Sequence, residues 1–397
     1  MNAMKICEGV YWVGAIDWNL RNFHGYETEK GSTYNAYLIL DEKITLIDTV
    51  KEGFGAEMLS RISSVVDPAK IDIIVSNHAE PDHSGCLPLL HSVAPQAKIY
   101  TAAGAGIKDL SAYYGDLGYI GVKAGESLSI GKRTLSFVPT PMVHWPDNMV
   151  TFMTPDNILF SNDAFGQHYA SDERTDTECD LPEAYIQARK YYANIVQPYG
   201  MQTGKALAAC AGLPIQTICP SHGIVWTKHI PEIVKLYQSW AAGEQEDSAA
   251  IVFDTMWHST EKMAYAVCSG LEEVGVPTRL MSVKSNHHSE IMTELANCGA
   301  VIAGSPTHNN TIMPLMASTL TYMKGLRPQN RVGGAFGSFG WSGESAKVLH
   351  EMLASMGMDM PADFVKCNWT PRHEALRACV ELGKTVGEAL KKKCQGE

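Results

Sequence analysis

A chain of 397 residues exceeds what one hydrophobic core usually serves, so two domains are expected, and 45% hydrophobic with 19% charged residues excludes an extended disordered polymer. A formal net charge of -11 excludes a general nucleic-acid or anionic-membrane surface, since neither attracts an acidic protein. The N-terminal MNAMKICEGVYWVGAIDW lacks a sustained apolar region, and no stretch approaches the roughly 20 apolar residues that span a bilayer, so the expected location is the cytoplasm.

From Val10 to Val50 the segments VYWVGAI, YNAYLIL and KITLIDTV alternate with turn-rich pieces and predict strands joined by short loops. Helices are expected over 55–66 and 104–114, and further strands over 71–75, 135–138 and 149–153. The alternation predicts an α/β first domain built as an αββα sandwich, with helices on both outer faces.

The apolar run at 71–75 delivers the chain into SNHAEPDHSG, where His78, Glu80, Asp82 and His83 fall on one loop. Neutral imidazole and ionised carboxylate are the ligands that hold first-row divalent metals. Three later positions answer this loop, each after an apolar strand-like segment: His144 in PMVHWPDN, Asp163 in LFSNDAFG and His222 in TICPSHGIVW. The seven groups suit two metal ions, one taking His78, Glu80 and His144, the other Asp82, His83 and His222, with Asp163 bridging.

Between the last two of these, LPEAYIQARKYYANIV over 181–196 is helical by periodicity and carries Tyr191 and Tyr192 side by side, of which one can face the site. The polar, small-residue stretch AAGEQEDSAA over 241–250 is the expected linker, dividing the chain into domains 1–248 and 249–397. Ten cysteines are scattered without a CxxC pair, which fits free thiols in a reducing compartment and excludes a fused rubredoxin, whose iron needs paired cysteines.

Beyond the linker, the strand-like AAIVF ends at Phe253 and runs into Thr255, Met256, Trp257, His258, Ser259 and Thr260 ahead of a helix expected over 261–274. Backbone N–H groups and three hydroxyls at a helix N-terminus form an anion site suited to a phosphomonoester. Two more strand-like runs, 301–303 and 332–336, end in loops carrying Ser305, Pro306, Thr307, Asn309 and Asn310, and then Ser338, Phe339, Gly340, Trp341 and Gly343. In a doubly wound parallel sheet the ligand crevice lies outside the carboxyl ends of the strands, where such loops converge on a planar ring. A closing helix is expected over 374–393.

The order HxExDH, then a His, an Asp in NDAFG and a His in PSHG, resembles the metallo-β-lactamase-like domain of flavodiiron proteins. The hydrolases of that superfamily are known for HxHxDH, and Glu80 here replaces the second histidine, a harder oxygen ligand that favours iron over zinc. TMWxST, SPTxNN and FGSFGWSG resemble the flavodoxin-like domain of the same family, although the first loop lacks the glycine common in free flavodoxins. The resemblance spans the chain and implies two non-haem irons, FMN, an external donor (rubredoxin or a reduced deazaflavin), reduction of dioxygen or nitric oxide, and a head-to-tail homodimer or a dimer of dimers. It also implies that His24 and Tyr191 act beside the metals without binding them, and that the histidine matching His83 swings away in some members. The rival expectations are a dinuclear zinc hydrolase with a flavodoxin interaction module, and a pure electron carrier.

Overall fold

The protein's structure, a computed structural model, describes residues 1–395, which group into two compact units. The first comprises Met1–His24, Thr28–Tyr191 and Tyr199–Ala241, and the second Gly25–Glu27, Tyr192–Pro198 and the chain from Ala242 onward.

Besides a two-stranded ribbon of Ala15–Asp17 with Ser32–Tyr34, the first unit holds two large sheets. One contains β1 (Met4–Cys7), β2 (Val10–Trp12), β3 (Tyr37–Ile39), β4 (Thr45–Ile47), β5 (Ile73–Ser76), β6 (Lys98–Ala102) and β7 (Tyr119–Val122), paired in that order. Its β1–β4 half is antiparallel and its β4–β7 half parallel. The other contains β8 (Ser127–Ser129), β9 (Thr134–Pro139), β10 (Met149–Thr154), β11 (Ile158–Asn162) and β12 (Thr217–Pro220), also in order, with only the last pair parallel.

Alternation along the strands sets the layers. Tyr37, Ile39, Ile73 and Val75 enter the core shared with Leu135, Phe137, Met153 and Phe160 of the second sheet, while Leu38 and Ile74 face Met58, Ile62 and Leu110 of the outer helices α1 (Gly55–Ser63) and α2 (Ala105–Tyr114). Helices α3 (Leu181–Tyr191), α4 (Gly200–Cys210) and α5 (Ile230–Ala242) follow β11 and β12 in the chain, and Leu207 and Val234 line a cleft with Leu159 and Ile218 of the second sheet. The αββα sandwich expected from sequence is the fold observed.

The second unit is a single parallel sheet, β13 (Glu246–Phe253), β14 (Thr278–Ser282), β15 (Cys298–Gly304), β16 (Val332–Phe339) and β17 (Val365–Asn368), in the order 14-13-15-16-17. Counted within the unit this is 2-1-3-4-5, the flavodoxin-like doubly wound order. Ala250 and Val252 face one apolar core, and Ala249, Ile251 and Phe253 the other, so both faces are covered. The helices are α6 (Ser259–Glu273), α7 (His288–Leu295), α8 (Pro314–Leu326), α9 (Ser345–Ser355) and α10 (His373–Cys394).

Three elements differ from the sequence expectation. The polar stretch 241–250 is mostly regular: α5 runs to Ala242 and β13 starts at Glu246, leaving 243–245 between them. Glu246 and Asp247 are polar because that end of the strand is exposed, and polarity alone reads as linker. The helix expected over 181–196 is α-helical to Tyr191 and continues as a π-type turn over Tyr192–Val196. Strand β16 runs on to Phe339, so part of the third loop is strand.

Candidate functional site

Four strand ends of the first unit carry the metal-type groups. His78, Glu80, Asp82 and His83 follow β5, His144 lies between β9 and β10, Asp163 follows β11, and His222 follows β12. One residue before Asp163, Asn162 has φ 54°, a left-handed conformation that asparagine tolerates. Its side chain is fixed on both sides, accepting from Asn148 Nδ2 (2.7 Å) and donating to Ser221 Oγ (3.1 Å). One residue after His222, Gly223 has φ +79°, and a Cβ there would stand 2.0 Å from Gln167 Oε1, so only glycine fits the turn.

The seven groups converge in two sets. Ligand-type atoms of His78, Glu80, His144 and Asp163 lie within 4.8 Å of one another, as do those of Asp82, His83 and His222. Asp163 faces both: Oδ2 is 3.6 Å from His78 Nε2 and 3.5 Å from His144 Nε2, while Oδ1 is 2.9 Å from His83 Nε2 and 3.7 Å from His222 Nε2. All are buried except His144, which keeps slight exposure.

The ring nitrogens are aimed from behind. His78 Nδ1 donates to Asp147 (3.0 Å) and His222 Nδ1 to the Thr33 carbonyl (2.6 Å), which leaves each Nε2 lone pair pointing into the cluster. Asp147 also accepts from Ala79 N (2.6 Å), so it fixes the loop together with the ring. Behind it, buried Asp48 accepts from Asn77 N (2.7 Å) and Asn77 Nδ2 (2.9 Å), and burial pushes its carboxyl up to about 6.

A divalent pair fits these residues. Both oxygens of Asp82, both ring nitrogens of His83 and both oxygens of Asp163 are buried without a hydrogen-bonding partner among the described residues, although His83 Nε2 and Asp163 Oδ1 are 2.9 Å apart. Groups so close yet misaligned for a hydrogen bond are arranged around a common centre rather than for each other. Burial opposes ionisation of Glu80 and Asp163, yet the surrounding histidines, His144, His24 and His78 at Glu80 and His83, His78 and His144 at Asp163, hold both carboxyls far below the usual range. Three carboxylates against two divalent cations leave one net positive charge, a balance suited to a small neutral oxidant.

His24 and Tyr191 lie at this cluster. His24 Nε2 is 3.0 Å from Glu80 Oε1, and the Tyr191 ring packs 5.8 Å from that of His222. Burial, then the Asp163 and Glu80 charges, pushes the Tyr191 phenol well above its ordinary range, so it keeps its proton. Three residues absent from the sequence reading belong here too: Asp147, Asn77 and His168. His168 is buried, with Nδ1 2.7 Å from Ser32 Oγ and its ring 4.7 Å from that of His222. Burial and then the His222 charge hold it neutral. Its nearness to Asp163 in NDAFGQH was the available signal.

In the second unit a cavity of about 590 Å³ opens at the carboxyl ends of β13, β15 and β16. Met256, Trp257, Ser259, Pro306, Thr307, Asn309, Asn310, Ser338, Phe339, Gly340 and Trp341 line it, with Ser342, Trp369 and Thr370 that the sequence reading missed. Trp369 and Thr370 follow β17, a fourth loop with no glycine-rich or hydroxyl-rich signature to mark it. The remaining predicted residues frame the wall. Thr260 Oγ1 and Ser338 Oγ share a 2.8 Å hydrogen bond, Ser305 Oγ accepts from Met313 N (3.0 Å), His258 Nδ1 meets Glu261 Oε2 at 2.6 Å, and Gly343 turns back onto the Phe339 ring at φ +86°.

An FMN-sized ligand fits this wall: Ser259 opens α6, whose N-terminus presents free backbone donors, and Thr255 Oγ1 is buried without a partner among the described residues. The exposed indoles of Trp257, Trp341 and Trp369 offer flat faces beside it.

Comparison with known proteins agrees with both halves. The ODP family beta lactamase matches residues 33–223 and Flavodoxin matches 251–383. The rubredoxin-oxygen oxidoreductase of Megalodesulfovibrio gigas is 47% identical over 99% of each chain, and the nitric oxide reductase of Moorella thermoacetica 42% identical over 98% of each. The crystal structure of the flavodiiron protein from Giardia intestinalis superposes with a TM-score of 0.96 at 34% identity, covering 100% of this chain and 98% of that one. Identity of this extent across both domains, joined to the two convergent sites, places the chain in the flavodiiron protein family.

Proposed function

We propose that the chain is a flavodiiron oxidoreductase that passes electrons from an external donor through FMN to a diiron centre, where dioxygen is reduced to water, nitric oxide to nitrous oxide, or both. The observation that carries this reading is the two-sided Asp163, with one oxygen toward each histidine–carboxylate set, in a chain that also holds the four-loop cavity. His78, Glu80 and His144 would hold one iron and Asp82, His83 and His222 the other, with Asp163 facing both sets. Thr255, Met256, Trp257, His258, Ser259 and Thr260 hold the flavin phosphate end; the loops after β15 and β16 hold its ring.

When bound, the irons and the flavin supply storage and delivery of electrons to a small oxidant. The protein supplies the rest. Asp147 and the Thr33 carbonyl fix the imidazole tautomers, so the metal-facing nitrogens need no reorganisation. Both gas reductions consume protons as well as electrons. His24, beside Glu80 and exposed to water, and Tyr191, buried with its proton retained, are the groups that would hold them.

A relative named for rubredoxin supports a rubredoxin-type donor, and a reduced deazaflavin is the alternative donor. The finer partner reading is a head-to-tail homodimer, or a dimer of such dimers, in the cytoplasm, with functional domains 1–248 and 249–397. Among the described residues, no helix is long and apolar enough to cross a membrane. A hydrolytic role is disfavoured because water addition uses neither a flavin cavity nor an external donor.

The decisive experiment is metal and flavin analysis of the purified chain followed by steady-state reduction of both gases under one donor. About two irons and one flavin per chain with gas consumption is the expected result. Zinc, no flavin and no gas reduction would overturn it.

A further inference from the structure

His24 sits at the tip of a hairpin formed by Asn22–Phe23 and Tyr26–Glu27. His24 and Gly25 have φ 54° and 84°, so this is a two-residue turn with both central residues left-handed, an arrangement that strains a histidine. A two-stranded ribbon is marginal by itself, and the His24 side chain is 71% exposed, so burial does not aim it at Glu80.

The first turn of α7 supplies what the hairpin lacks. His288 Nε2 donates to the Gly25 carbonyl (2.6 Å), and Glu27 N donates to the buried Ser289 Oγ (3.1 Å). The same turn reaches the chain just beyond Tyr191: the Ser289 carbonyl accepts from Asn194 Nδ2 (3.1 Å), and Asn194 Oδ1 accepts from Tyr322 OH (2.8 Å), whose ring packs 4.3 Å from that of His288. The turn is itself rigid, closed by a capping box between His287 and Glu290, and the preceding Lys284 ammonium donates to the carbonyl of Thr255 in the phosphate loop.

We propose that His288, with Ser289, is a positioning residue for gas reduction, a clamp on α7 that fixes the His24 turn. This rests on the reductase reading above. The clamp acts on His24 through its neighbour Gly25. Neither His288 nor Ser289 touches substrate or metal.

The test uses the holoprotein and two readouts. In His288→Ala, amide exchange of residues 22–28 should accelerate about three- to tenfold, the effect of one lost hydrogen bond. Iron, flavin and the rate of flavin reduction by the donor should be unchanged, while kcat for gas falls by a similar factor. His288→Gln, whose amide can donate to the Gly25 carbonyl, should recover both, and Ser289→Ala should repeat the exchange change. His24→Ala/His288→Ala should be no slower than His24→Ala alone, because the clamp acts through His24. Unchanged exchange in His288→Ala, or additive losses in the double variant, overturns the proposal. If the unaltered protein reduces neither gas, the reductase reading fails, and the exchange comparison alone decides the clamp.

Discussion

At the scale of single residues, the two-sided Asp163 and the anchored histidines explain why a cluster that would be costly as bare charge is tolerated in a core. Removing one carboxylate leaves the remaining charges uncompensated, a change of several kcal/mol in a buried site. Asp163→Ala is therefore expected to lose or scramble both irons while keeping the flavin, as read by metal analysis and visible absorbance. Retention of two irons and normal gas reduction would mean that Asp163 is not the bridge. Tyr191→Phe keeps the ring that packs on His168 and His222 but deletes the proton. Iron content should stay constant while turnover falls about a hundredfold or more, the usual range for a lost proton donor, and an unchanged rate would return Tyr191 to packing alone.

At the scale of elements, loops at strand ends carry the candidate groups and their turns have little freedom. Gly223→Ala adds a Cβ that collides with Gln167 and demands a left-handed alanine. It should cost about 1–3 kcal/mol and shift His222 with it, seen as a lower Tm and loss of iron from the His222 set. The loop into α6 works differently, since it presents backbone donors and hydroxyls. Replacing Thr255, Ser259 and Thr260 together by alanine should release FMN without changing iron content, a result read by fluorescence of the freed flavin. Loss of both cofactors would indicate that the substitutions unfold the chain.

At the scale of the molecule, electrons stored on a flavin in one unit must reach irons held in the other, and the proposed head-to-tail dimer brings each flavin to the partner's metal site by two-fold closure. Mixing a flavin-site variant (Thr255, Ser259 and Thr260) with an iron-site variant (His78 and Asp163) should restore part of the activity after subunit exchange, because one hybrid junction is intact. A verified heterodimer without activity, or a fully active monomer, would exclude the arrangement.

The seven metal-type groups, the three loops that line the cavity of the second unit and both fold classes were legible in sequence because each rests on local patterning: apolar runs that end in polar loops, and alternation that assigns strand faces. Their grouping into two sets around Asp163 depends on four strand ends meeting, and that is a product of sheet order. Asp147, Asn77 and His168 escaped notice because an Asp, an Asn or a His in a loop carries no local mark of a buried partner. Trp369 reaches the cavity at the carboxyl ends of the strands only because β17 pairs beside β16, and the 241–250 stretch read as linker because exposed strand residues are polar. Sequence alone determined which residue types gather at the strand ends, since that is written in short-range pattern. The tertiary structure decided their partners, tautomers and clamps, because hydrogen bonds between residues far apart in the chain exist only once the sheets have formed.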